Sequence, residues 1–202
     1  MRLRNDPQAK TILAQSHLVK HHLPIELDQT TIVEIGMGKG EMLTQMAFEQ
    51  PKMQFIGIEK YATVALKALK KAQKLNLQNF FIVNQDLAQI GQNFQGQAKE
   101  IWLTFPDPWP KKGHYKRRLT YEFFLAIYKQ ILMPGGLLKF KTDNDFLFQW
   151  SIGTIANFGA KIVYLTTNLQ ASSRAKTNIM TGYETKWTNQ GKTINYMEIR
   201  FD

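Results

Sequence analysis

The chain has 202 residues, 44% hydrophobic and 21% charged, which suits one domain with a core of its own. Its net charge of +10 attracts polyanions, and the lack of any cysteine excludes disulfides, thiolate metal sites, iron–sulfur clusters and the thiol nucleophile needed for covalent attack on a pyrimidine ring. No run reaches the length of a membrane span and the first residues hold no apolar signal core, so a cytoplasmic protein with no membrane partner is expected.

Residues 1–7 are polar and basic. Pro7 can open a helix, and the spacing of Ile12, Leu13, Ser16 and Leu18 or Val19 predicts one over residues 9–22. His17 and His21 stand four apart, a metal-ligand spacing, but no Glu follows the first, so a solvated pair is expected and no metal site. Residues 31–35 predict an apolar strand that runs into Gly36-Met37-Gly38-Lys39-Gly40 and then a helix over 41–48. A second strand over 54–58 ends at Glu59. The amphipathic helix expected over 61–75 buries Tyr61, Ala65, Leu69 and Ala72 and turns Lys67, Lys70, Lys71 and Lys74 to solvent. A third strand over 79–83 precedes Asp86, and a fourth covers 100–105.

After the fourth strand comes Asp107-Pro108-Trp109-Pro110-Lys111-Lys112-Gly113-His114-Tyr115-Lys116-Arg117-Arg118. Its prolines fix backbone angles and remove donors, which makes a stiff loop that cannot continue the strand. Such a loop holds Asp107 in place and sets an indole and a cationic strip beside it, an arrangement suited to a planar base on a phosphate chain. A basic surface loop around a buried Trp is the plainer alternative. Thr120 is expected to cap a helix over 121–132, and Pro134-Gly135-Gly136 turns into a fifth strand over 137–142 that ends at Asp143. A helix over 145–158 follows. Two closing strands over 161–165 and 193–201 flank a polar loop over 166–180 and the run Thr181-Gly182-Tyr183-Glu184, with no convincing helix between them. This alternation predicts a single α/β domain over 1–202, Rossmann-like, with a seven-stranded, mostly parallel sheet, one antiparallel strand and helices on both faces.

In such sheets a ligand sits outside the carboxyl ends of the strands. Acids stand at five successive ends: Glu34, Glu59, Asp86, Asp107 and Asp143. The third glycine of the turn falls one place early for a nicotinamide fingerprint, and Glu34 and Glu41 flank the turn with only Lys39 to offset them, which disfavours a pyrophosphate. S-adenosylmethionine has no phosphate and carries a sulfonium and an ammonium. On this reading Glu34 and the turn backbone at Gly36 and Gly38 hold its methionine portion, Glu59 its ribose hydroxyls and Asp86 its adenine amino group. The alternative is that Glu34 or Asp86 merely caps a helix.

Together, Glu34-Ile35-Gly36-Met37-Gly38-Lys39-Gly40, Gly57-Ile58-Glu59, Phe105-Pro106-Asp107-Pro108-Trp109-Pro110-Lys111-Lys112, Arg117-Arg118-Leu119, Phe140-Lys141-Thr142-Asp143-Asn144 and Thr181-Gly182-Tyr183-Glu184 resemble the bacterial tRNA (guanine-N7-)-methyltransferases of the TrmB type, over roughly residues 30–200. The resemblance implies a class I methyltransferase fold and methyl transfer from S-adenosylmethionine to the guanosine at position 46, in the tRNA variable loop. By motif match it implies cofactor-side positions at Glu34, Glu59, Asp86 and Asp107, with Asp107 also catalytic. It places Lys111, Asp143, Thr181, Gly182, Tyr183 and Glu184 at the substrate.

Guanine N7 has an in-plane lone pair and no proton to remove, so alignment matters more than a base. Asp107 would face the N1–H and N2 amino edge and stabilise the cationic product, with Asp143 or Glu184 assisting. Lys111, Lys112, Lys116, Arg117 and Arg118 are expected at phosphates, as are Arg2 and Arg4. Trp109 either stacks on the base or braces the loop. Three rival readings are a methyltransferase acting on an exocyclic base amine, a non-catalytic tRNA-binding module and a nicotinamide oxidoreductase. A homodimer is left open.

Overall fold

A seven-stranded sheet runs through the protein, whose computed structural model describes residues 5–91 and 93–201. Arg2 and Arg4 lie outside the described residues. In chain order the strands are β1 (Ile25–Leu27), β2 (Thr31–Ile35), β3 (Gln54–Ile58), β4 (Phe80–Val83), β5 (Phe94–Gly96), β6 (Ala98–Thr104), β7 (Leu132–Thr142), β8 (Lys161–Thr166) and β9 (Asn195–Arg200). The helices are α1 (Ala9–Ala14), α2 (Glu41–Glu49), α3 (Ala62–Lys74), α4 (Leu87–Ile90), α5 (Glu122–Ile131), α6 (Asp145–Phe158) and α7 (Gly182–Thr188). The sheet order is β4-β3-β2-β6-β7-β9-β8, and β1 and β5 form a separate parallel pair. Only the two pairings of β9 are antiparallel within the large sheet, as expected.

All five residues of β2 are buried because helices cover the sheet on both sides. Val33, Ile35, Ile56 and Ile58 pack with Leu125, Tyr128 and Phe148 from α5 and α6. Ile32, Phe55, Phe80 and Ile82 pack with Leu43, Leu66 and Leu69 from α2 and α3. Glu34 belongs to this second face. The parallel register pairs Glu34 with Trp102, Trp102 with Lys139, and Thr104 with Lys141. Side chains alternate along each strand, so Glu34, Trp102, Thr104 and Lys141 share one side of the sheet. Strand order reverses between β2 and β6, and the carboxyl ends of these strands mark the switch point where such sheets bind ligands.

Several local expectations are corrected. The first helix ends at Ala14 rather than continuing to residue 22. The Ser16 hydroxyl accepts from Leu18 N, and Val19 instead bridges to Ile82, so Leu18 and Val19 reach the core on extended chain. Tyr61 is the N-cap of α3 and is half exposed rather than on its buried face. Thr120 does not cap α5; its hydroxyl meets Ser151 Oγ at 2.6 Å inside the protein. A helix, α7, does stand between the last two strands, capped by Thr181, whose Oγ1 accepts from Glu184 N. Among the described residues, no helix is long and apolar enough to cross a membrane.

Candidate active site

A cleft of about 510 Å³ opens at the carboxyl ends of β2, β3, β4 and β6. Gly36, Glu59, Asp86, Asp107, Trp109 and Arg117 are among its walls. Each comes from the segment that follows a strand, so the sheet sets their spacing and the loops set their direction.

The glycine turn is built tightly. Gly36, Gly38 and Gly40 all have positive φ, and a Cβ on Gly40 would lie 2.8 Å from the Cβ of Ala68 on α3. Gly36 N donates to Ile58 O at 2.8 Å and Gly38 N donates to Glu59 Oε2 at 3.2 Å. Both amides are thus engaged within the chain, and Gly36 lines the cleft. Glu59 Oε1 accepts from Tyr61 N at 2.8 Å. Burial raises the Glu59 carboxyl above its ordinary range; its two backbone bonds and Lys60 oppose this, and the charge of Asp107 adds to it.

Glu34 does not line the cleft itself. It is 2% exposed, and its Oε2 has no hydrogen-bond partner. Burial pushes its carboxyl up to about 7, against a hydrogen bond from Thr104 and the charge of Lys141. A buried carboxylate oxygen left unpartnered is costly, and a ligand that brings a positive charge or a donor relieves that cost. Asp86 also lines the cleft; its Oδ1 accepts from Ala88 N at 3.0 Å and caps α4, while its Oδ2 lies 3.9 Å from Lys60 Nζ.

Asp107 is exposed on the cleft wall, in a loop where Phe105 and Trp109 hold positive φ values of 49° and 43°. Side chains rarely accept that conformation unless their surroundings impose it. Arg118 supplies the constraint: Nε donates to Pro108 O at 3.2 Å and Nη2 to Trp109 O at 3.0 Å. Its guanidinium lies 4.4 Å from the Trp150 ring and 4.9 Å from that of Phe146, and the residue is 3% exposed. The expectation that Arg118 meets phosphate is thus corrected, because it faces inward as a brace. Lys111, Lys112, Lys116 and Arg117 remain exposed, and Arg117 lies over the Trp109 ring at 4.9 Å.

Phe105 lines the cleft and its ring meets Tyr183 at 5.0 Å, which brings the 181–184 run to this wall. Tyr183 OH donates to Asp143 Oδ2 at 3.1 Å, and Lys192 Nζ lies 2.8 Å from the same oxygen. Gly182 N donates to Glu41 Oε2 at 2.6 Å. Glu184, expected at the substrate, is fully buried, with Oε2 2.7 Å from the equally buried Lys141 Nζ. Burial lowers the Lys141 ammonium, and the charges of Glu184 and Glu34 oppose this. Sequence reasoning gave no role to Lys141 or Thr104. A lysine among Leu137, Leu138 and Phe140 in a central strand was the signal that could have found the first.

Residues 28–197 match the family described as "Putative methyltransferase". The chain is 50% identical over 201 residues to the tRNA (guanine-N(7)-)-methyltransferase of Mycoplasmopsis pulmonis (strain UAB CTIP), covering 100% of this chain and 99% of that protein. It is 46% identical over 202 residues to the protein of the same description from Metamycoplasma hominis (strain ATCC 23114 / DSM 25592 / NBRC 14850 / NCTC 10111 / PG21), covering 100% of each. Among solved structures, an antibiotic related methyltransferase aligns with a TM-score of 0.63 at 14% identity, covering 100% of this chain and 97% of that one. The 16S rRNA methyltransferase KamB aligns with a TM-score of 0.62 at 12% identity, covering 98% and 94%. Likeness at these identities is one of fold, and the fold is that of class I methyltransferases.

Proposed function

We propose a mechanism on the premise that the chain belongs to the tRNA (guanine-N(7)-)-methyltransferase family and methylates N7 of a guanosine in tRNA; the motif resemblance points to the guanosine at position 46, in the variable loop. The observation that carries the site assignment is the fully buried Glu34, one oxygen unpartnered, at the root of the glycine turn. That donor set fits a cofactor with a sulfonium and an ammonium and repels a pyrophosphate. S-adenosylmethionine, when bound, supplies an electrophilic methyl group. Glu34 would hold the cationic methionine end, Glu59 would orient the ribose hydroxyls, and Asp86, through the oxygen that does not cap α4, would meet the adenine amino group.

Guanine N7 needs no deprotonation, so this chain's task is alignment, which can supply on the order of 7–11 kcal/mol of a barrier. Asp107, on a loop locked by Arg118, accepts from the N1–H and N2 amino edge and turns N7 toward the methyl. Its charge also stabilises the purine as it becomes cationic. Lys111, Lys116 and Arg117 meet backbone phosphates around the cleft, and Asp143, Thr181, Gly182 and Tyr183 form the substrate wall beside Phe105. Glu184 supports that wall from below. Sedimentation measures whether a homodimer forms. A tRNA substrate supports a cytoplasmic location.

Incubating unmodified tRNA with labelled S-adenosylmethionine and mapping the product tests the reading. N7-methylguanosine at position 46 is expected. A methylated adenine or cytosine, or no incorporation, overturns it.

A further inference from the structure

Lys141 has no part in the mechanism above, yet it is fully buried at the end of β7. An ammonium has three hydrogens to donate. They go to Glu184 Oε2 at 2.7 Å, Asn178 Oδ1 at 3.0 Å and Ile179 O at 2.9 Å. Every acceptor belongs to one short segment, residues 178–184, and none to the sheet that carries the lysine. The network closes on itself: Glu184 Oε1 accepts from Asn178 Nδ2 at 2.6 Å and Gln170 Nε2 at 3.2 Å.

The same segment is held a second time at its rim. Glu41, the first residue of α2, accepts from Gly182 N at 2.6 Å and pairs with Lys71 at 3.2 Å. Gly182 has no room to spare there, because an added Cβ would stand 3.1 Å from the same Glu41 oxygen. Between the two fixings stands Tyr183, with its ring on Phe105 and its hydroxyl on Asp143. A buried Lys–Glu pair is a poor way to gain stability, since apolar residues of similar volume often do as well or better. What a fully hydrogen-bonded pair supplies is a defined position for the backbone attached to it.

We propose that Lys141 and Glu41 are positioning residues that hold residues 178–184 against the glycine turn and the Phe105 ring, so that guanosine enters beside a wall already in place. The inference rests on the reading of Thr181, Gly182 and Tyr183 as the substrate side. Lys141 works from beneath through Glu184, and Glu41 works from the rim through a backbone amide.

Two variants of the full chain test this. Glu41→Ala changes a partly exposed side chain and leaves the core intact. Lys141→Met combined with Glu184→Gln removes both buried charges together, so neither is left alone. Each is followed by hydrogen exchange over residues 178–188, S-adenosylmethionine affinity by calorimetry, and kcat and KM with tRNA. Faster exchange in that segment is expected in both, with cofactor affinity unchanged in Glu41→Ala. A raised KM for tRNA is expected as well, with kcat falling by up to about a hundredfold in the double variant, the scale of a roughly 1 Å misplacement. Unchanged exchange, or wild-type kcat and KM in both variants, overturns the proposal. So does a loss of cofactor affinity in Glu41→Ala in parallel with kcat, which would move the action to the donor side. If wild-type protein failed to methylate guanosine N7, the activity reading would fall, and the exchange data would still decide whether these residues hold the segment.

Discussion

Glu34→Gln separates the stability of this fold from its function, and the size of the effect follows from burial. Burial moves the carboxyl from an ordinary 4.5 to about 7. At about 1.4 kcal/mol per pH unit, that difference corresponds to about 3 kcal/mol. The unfolded chain releases this proton near 4.5 while the folded chain keeps it until about 7. Stability from the protonated group is therefore full below 4.5 and is lost as pH rises through 7. Glutamine has the same shape and no titration. An amide left unpaired where the free oxygen stands sets a constant offset of about 1–3 kcal/mol, so the slope and not the absolute value is diagnostic. Urea unfolding of both proteins from pH 4.5 to 8 measures it: the stability of wild type relative to the variant should fall by about 3 kcal/mol across that range. Donor binding supplies the second half. A cationic donor favours the ionised carboxylate, so wild-type affinity should climb with pH and level off above about 7, with a proton released on binding below that point. Calorimetry in buffers of different ionisation enthalpy detects the proton. The variant should bind weakly and without this pH dependence. Parallel stability curves, together with unchanged donor affinity in Glu34→Gln, would refute both the burial argument and the donor assignment.

Asp107→Ala should abolish turnover and leave tRNA affinity nearly unchanged in filter binding; equal losses in both would mean that the residue holds the loop and not the base. Lys111→Ala with Arg117→Ala should weaken tRNA binding and flatten the dependence of log K on log salt by about 0.7–0.9 for each phosphate contact removed. Arg118→Ala should behave differently from its neighbour. It should lower the melting temperature by releasing the Pro108 and Trp109 carbonyls, worth about 1–3 kcal/mol, and leave the salt slope as it was. A changed slope would put Arg118 back on the RNA surface.

The contrast between Arg117 and Arg118 shows where the sequence stopped being legible. Two identical residues stand side by side, one exposed over the ring of Trp109 and one buried against Trp150 and Phe146. Composition marks both as cationic, and only the six-residue 3-10 turn Lys112–Arg117 decides which way each faces. The strand ends were legible because apolar runs of strand length stop at acids, and the acids then fall on one edge of a parallel sheet whatever the details of the helices. Helix ends were less so. Ser16 reads as helical, but its hydroxyl accepts from Leu18 N two residues on, where the chain has left the helix; Thr120 reads as a cap, but its hydroxyl finds Ser151, 31 positions away. Glu184 reads as a polar residue in a loop motif. Its burial depends on a lysine that lies 43 positions earlier.

That lysine explains why two carboxylates on one side of the sheet behave so differently. Glu184 is saturated, and Glu34 keeps an oxygen without a partner. Lys141 acts on Glu34 through its charge alone, because all three of its hydrogens are taken by residues 178–184. Were one of them given to Glu34, the pair would be neutralised, and a cationic donor would have to break it before binding. The held segment thus keeps a nearby cation occupied. The field of that cation lowers the cost of ionising Glu34, while its geometry leaves the carboxylate free for a ligand. On the proposed reading, the wall that receives guanosine and the anion that receives the methyl donor are set by the same buried ammonium, which works on one by contact and on the other at a distance.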